Sequence, residues 1–205
     1  MHSRIPTWLT WSRIAMIPVL VGVYFALPHP WNGIVAAMVF AVAGLTDWLD
    51  GYLARRWGVT SRFGAFLDPV ADKLIVAVAL IAVVATHSAI APIGRAVAEN
   101  SGAGEGLGLA LAAMVIIGRE ITISALREWM AEVGQRARVK VSWIGKWKTT
   151  FQMVAIFLLL WAAPLSVFGW AVPLFLIGEW LLYLAAILTI VSMVQYLWAA
   201  TRSET

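Results

Sequence analysis

Apolar residues in this chain run on for whole helix lengths instead of recurring on one face of a soluble amphipathic helix. Six such stretches fall near 10–27, 32–56, 65–87, 107–130, 147–167 and 172–199. Each approaches the ~20 residues that an α-helix needs to cross a bilayer. Lipid gives backbone no hydrogen-bond partner, so stretches of this kind must satisfy their own peptide groups as helices. The pattern predicts an all-α, polytopic membrane protein with six transmembrane helices, forming one domain over 1–205. The connections around Pro28-His29-Pro30 and 165–173 are short, whereas 90–106 is Gly-rich and weakly charged and reads as a mobile loop. Ahead of the first span, Arg4 and Arg13 bracket Thr7, Thr10 and Ser12, and no small-x-small cleavage site follows. That layout is unlike a signal peptide. It predicts a short N-terminal interfacial helix with Trp8 and Trp11 at headgroup level.

Composition agrees with the pattern: 61% of the 205 residues are apolar and 13% are charged, against roughly 45–50% and about 25% in soluble domains. The net charge of +4 is no sign of a nucleic-acid partner, because a groove reader needs a solvated basic face that this composition does not supply. An anionic lipid surface or an anionic substrate suits the charge better. With both termini on the cytoplasmic side, the basic residues of the chain gather there and Arg95 alone lies outside, as the positive-inside rule requires. Many of the 12 tryptophans, such as Trp31, Trp57, Trp143, Trp161, Trp170 and Trp198, fall near expected helix ends, where they read as interfacial anchors. There is no cysteine, which excludes disulfides, thiolate metal sites and cysteine nucleophiles. His2, His29 and His87 fall at loops or ends and give a zinc site little support. Glu179, near the outer end of the sixth span, has no evident reason to be there.

Chemistry concentrates in two adjoining segments. On a helix Asp47, Asp50, Gly51 and Ala54 stand at i, i+3, i+4 and i+7, which puts two carboxylates on one face beside the smallest side chains. On the next helix Gly64, Asp68 and Asp72 recur every four residues. A tight basic turn joins the two stripes, so they are expected to face each other. A charge at the centre of a membrane helix costs about 2.5–3.5 kcal/mol, and four gathered acids add mutual repulsion, so compensating cations are required. Oxygen ligands at helical spacing suit hard divalent ions such as Mg²⁺ or Mn²⁺. Salt bridges to Arg55, Arg56, Arg62 and Lys73 are the purely structural alternative.

The run Asp47-x-x-Asp50-Gly51-x-x-Ala54-Arg55, followed by Gly64-x-x-x-Asp68-x-x-x-Asp72, resembles the signature of the CDP-alcohol phosphatidyltransferases at every position. The resemblance implies that Asp47, Asp50, Asp68 and Asp72 hold two divalent metal ions on the diphosphate of a CDP-lipid, here CDP-diacylglycerol. It implies that Asp50, Gly51, Ala54, Arg55, Gly64 and Asp68 receive the nucleotide lipid, that Asp72 is also the general base, and that the protein is a homodimer in a bacterial inner membrane. Paired metals would neutralise charge developing on phosphoryl oxygens, and a neighbouring carboxylate would accept the hydroxyl proton of the attacking alcohol.

A second set of residues bears on the alcohol. Arg119, Ile123 and Arg127 lie along one helical stripe, and Lys146 and Lys148 open the next span on the same membrane side. Cations converging beside a metal site call for an anionic acceptor, since guanidinium groups bind phosphate directionally. Positive-inside topology by itself accounts for Arg136, Arg138 and Lys140, but poorly for Arg119, which follows the apolar run Met114-Val115-Ile116-Ile117. The resemblance extends over these segments and implies sn-glycerol 3-phosphate as acceptor, its phosphate held by Arg119, Arg127, Lys146 and Lys148. Inositol phosphate and phosphatidylglycerol are the sister acceptors. A cation transporter is the rival from another class, since intramembrane acids also mark ion paths.

Overall fold

The computed structural model describes residues 5–57, 62–87, 103–132, 143–163, 165–167 and 170–201, and among these the chain forms six helices. They are α1 (Ile5–Ala26), α2 (Trp31–Trp57), α3 (Arg62–His87), α4 (Ala103–Glu132), α5 (Trp143–Trp161) and α6 (Leu174–Thr201). α2, α3, α4 and α6 contain apolar windows long enough to cross a membrane, and α1 and α5 carry shorter ones, Trp11–Ala26 and Trp147–Trp161. At ~1.5 Å per residue the 22 residues of α1 span about 33 Å and the 19 of α5 about 28 Å, against a hydrocarbon core of about 30 Å. Large side chains face outward as well as inward: Ile81, Met114, Trp180 and Ile187 are exposed. Apolar groups on both sides of a helix fit a lipid surround and not water. The protein is a multi-pass membrane protein.

Three expectations are corrected. The N-terminal interfacial helix is not separate, because Ile5–Ala26 is one helix; Pro18 lies inside it, and no helix-breaking residue stands between Trp8 and the apolar run. The fifth span ends at Trp161 instead of 167. Ala162 has φ 44°, a left-handed value that ends a helix, and Pro164 follows in the sequence, where its ring would clash with a helical carbonyl. Beyond it a short antiparallel pair, β1 (Leu165–Val167) and β2 (Trp170–Val172), occupies the connection, with Leu165 opposite Val172 and Val167 opposite Trp170. Finally, α4 begins at Ala103, inside the expected 90–106 loop; residues 88–102 of that loop, and Arg136, Arg138 and Lys140, lie outside the described residues.

The bundle encloses an apolar core that includes Leu20, Phe40, Leu80, Ile116, Leu159 and Leu182. α1 packs against both α2 and α3, which touch each other little; α2 rests on α5, α3 on α4 and α5, and α6 on α4 and α5. Without a hydrophobic force between helices in lipid, association depends on close packing, which small residues permit. A Cβ added at Gly33 of α2 would lie 2.5 Å from the backbone oxygen of Leu160, and one at Gly178 of α6 would lie 3.1 Å from that of Ala155. Hydroxyls inside the spans satisfy themselves: Thr46 donates to the carbonyls of Val42 and Ala43, and Thr189 to that of Ala185. At the end of the bundle away from the acids, Tyr24 and Thr86 share a hydrogen bond of 2.9 Å that ties α1 to α3. Glu179, unexplained by sequence, is buried and accepts a 2.5 Å hydrogen bond from Tyr183 one turn on.

Candidate active site

Chain direction alternates through the bundle, so the start of α1, end of α2, start of α3, end of α4, start of α5 and end of α6 share one end of the molecule. The residues singled out by sequence as chemical lie in the halves of their helices toward that end. Among the described acids, Asp47 of α2 and Asp72 of α3 are drawn together at one point. They meet on α1, whose Arg13 sends Nη1 to Oδ1 of Asp47 at 3.0 Å and to Oδ1 of Asp72 at 2.6 Å. The guanidinium side chain is 1% exposed, whereas the side chains of Asp47 and Asp72 are 42% and 43% exposed. The cation therefore lies beneath the two carboxylates, which open outward. Asp68 stands one turn before Asp72 on α3, partly buried, and Gly51 is partly buried on α2. Asp50, Ala54, Arg55 and Gly64 are placed on α2 and α3 by their helical positions alone.

The second cluster adjoins the first. Lys73, next to Asp72, donates from Nζ to Oγ of Ser124 on α4. One turn earlier on α4, Glu120 accepts from Arg119 Nη1 at 2.6 Å and from Lys148 Nζ of α5 at 3.2 Å. Lys148 is 1% exposed and Arg119 11%, so both cations are held inside the protein. Such burial is costly unless the charge is paired, and Glu120 supplies the pairing. Nε of Arg119 is buried with no hydrogen-bond partner among the described residues. A buried donor left over in this way suits an anionic guest. Arg127 lies on α4 and Lys146 on α5 by helical position. Arg119 and Lys148 thus converge as expected, with Glu120 between them.

Sequence reasoning missed Arg13, Glu120 and Ser124. Arg13 read as an interfacial positive charge because nothing in one linear sequence says that α1 inserts between α2 and α3. Its available signal was isolation: it is the sole charged residue of α1. Glu120 pairs with Lys148 across 28 positions of chain, a contact that no local pattern encodes.

The donor set can be tested against divalent ions on this geometry. Among the described residues no group of three acids or histidines is assembled as a ligand set, but Asp50, a member of the expected set, is described by helical position alone. The structure does bring carboxylate oxygens from two helices onto a single cationic nitrogen, and every donor is a hard oxygen. Magnesium or manganese fits such donors.

The helices thus carry four acids toward one end of a membrane bundle, beside a buried cation pair held by Glu120. Residues 3–191 match the CDP-alcohol phosphatidyltransferase family, and the chain belongs to that family. The chain is 50% identical over 200 residues to the CDP-diacylglycerol–glycerol-3-phosphate 3-phosphatidyltransferase of Sodalis glossinidius, covering 98% of this chain and 96% of the relative. The protein of the same name from Pectobacterium atrosepticum is also 50% identical over the same shares of each chain, and that of Escherichia coli K12 is 47% identical.

Proposed function

We propose that this protein transfers the phosphatidyl group of CDP-diacylglycerol to sn-glycerol 3-phosphate, releasing CMP and phosphatidylglycerol phosphate, from the cytoplasmic face of a bacterial inner membrane. One observation carries the reading: exposed carboxylates of α2 and α3 open at a bundle end whose neighbouring wall holds Arg119 and Lys148. Similarity to enzymes named for this reaction, over 98% of the chain, supports it.

Asp47, Asp50, Asp68 and Asp72 would hold two divalent ions, Mg²⁺ or Mn²⁺, which when bound neutralise the diphosphate and polarise the leaving phosphate. The chain's own residues do the rest. Gly51, Ala54 and Gly64 leave room for a nucleotide against the backbone of α2 and α3, with Arg55 beside them. Arg119 and Lys148, joined by Lys146 and Arg127 from the same helices, receive the acceptor's phosphate and so orient its hydroxyl. Asp72 accepts the hydroxyl proton; a carboxylate has about four lone-pair sites, so its contact with Arg13 through Oδ1 leaves it able to act as base. The alcohol oxygen forms a bond to the phosphorus that carries diacylglycerol, the bond from that phosphorus to the CMP oxygen breaks, and CMP departs with the electron pair. Fixing both reactants at one depth supplies most of what such a transfer needs from protein. A homodimer in the membrane completes the proposal.

The test is the identity of the lipid made by purified protein in detergent when glycerol 3-phosphate, inositol phosphate and phosphatidylglycerol are offered separately with CDP-diacylglycerol and Mg²⁺. Phosphatidylglycerol phosphate formed from the first alone is the expected result. Product from inositol phosphate or phosphatidylglycerol in its place would move the assignment to that sister acceptor.

A further inference from the structure

Arg13 has no part in the chemistry above, yet it is the charged group on which the site converges. α1 packs against α2 and α3 far more than those two helices pack against each other, so their acids owe their relative placement to α1. At the level of the acids, Nη1 of Arg13 bonds both Asp47 of α2 and Asp72 of α3 and so holds them together. The guanidinium is buried while both carboxylates are more than two-fifths exposed, so it grips them from below and leaves their outward side toward solvent and headgroups.

We infer that Arg13 is a positioning residue, a guanidinium clamp beneath the acid pair that sets Asp47 and Asp72 at the separation and orientation a divalent ion requires. The inference rests on the metal-dependent reading of the acids. Ligating carboxylates are commonly oriented by hydrogen bonds from a layer of residues behind them, and loss of such a partner lowers metal affinity about 10–100-fold. Arg13 also offsets repulsion between the two acids before any ion arrives. Electrostatics alone makes the opposite forecast. A fixed positive charge this close repels a divalent ion, so if Arg13 were only a competing counter-ion, its removal would tighten binding.

The sign of the change in affinity therefore decides between the two, and it is read without turnover. Mn²⁺ binding to purified protein, without either substrate, is measured by electron paramagnetic resonance on wild type, Arg13→Gln and Arg13→Lys, alongside thermal unfolding in the same detergent. A clamp predicts Mn²⁺ affinity at least about tenfold weaker in Arg13→Gln, and weakened also in Arg13→Lys, which keeps the charge but loses the planar fork. Wild-type or tighter binding in a folded Arg13→Gln protein overturns the inference. Should the glutamine variant fail to fold, wild-type affinity in Arg13→Lys overturns it and weaker affinity supports it. Wild-type protein that binds no Mn²⁺ would instead refute the metal reading on which the clamp depends.

Discussion

Asp47 and Asp72 share one guanidinium, but the proposed chemistry asks different things of them. Asp72 is both ligand and proton acceptor, and Asp47 is a ligand alone. Replacing Asp72 with asparagine keeps an oxygen for Arg13 and removes the basic site. The expected outcome is a fall in kcat of about 10²–10⁴-fold, the usual contribution of a general base, with CDP-diacylglycerol binding largely retained. Asp47→Asn is expected to lose binding and turnover together. Steady-state kinetics combined with a binding titration of the nucleotide lipid separates the two, and near-normal kcat in the Asp72 variant would remove it as base. At this scale the sequence was most informative where acids and glycines recur at helical spacing, because spacing on a helix is geometry. It was silent on Arg13, Glu120 and Ser124, whose partners lie on other helices. A contact such as Arg13 to Asp72 spans 59 positions of chain, and no local pattern encodes it.

Helices were legible for a different reason: in lipid a continuous apolar run has few alternatives to a helix. The observed ends of α2, α3 and α6 fall within a few residues of those expected. The end of α5 did not, because Leu165, Val167, Trp170 and Val172 are as apolar in a strand as in a span; Pro164, Gly169 and Pro173 carried the breaking signal. Helix packing can be tested at α2. A methyl group at Gly33 would stand 2.5 Å from the Leu160 carbonyl oxygen and 2.9 Å from that of Trp161, both backbone atoms of α5, whereas one at Gly118 meets nothing within 4 Å. Gly33→Ala is expected to cost about 1–3 kcal/mol, the range for overpacking, and Gly118→Ala to leave stability near wild type. Thermal unfolding in detergent checks both, and equal melting temperatures for the two variants would contradict the close approach of α2 to α5.

For the whole molecule, one end of the bundle carries the chemistry and the remainder supplies a lipid-facing scaffold. The acids at that end are joined through Arg13 to α1 and through Lys73 and Ser124 to α4, and the cation pair follows one turn away. This placement suits a lipid whose diphosphate lies at headgroup depth and whose second substrate arrives from water. A cation transporter is not favoured, because the relatives that match over 98% of the chain are named for phosphatidyl transfer. The most direct test of the account is CMP release by purified protein in mixed micelles as CDP-diacylglycerol, glycerol 3-phosphate and Mg²⁺ are each withheld in turn. The account predicts release only when all three are present, and none from Asp47→Asn; sustained release without the acceptor, or undiminished release after chelation of the metal, would contradict it.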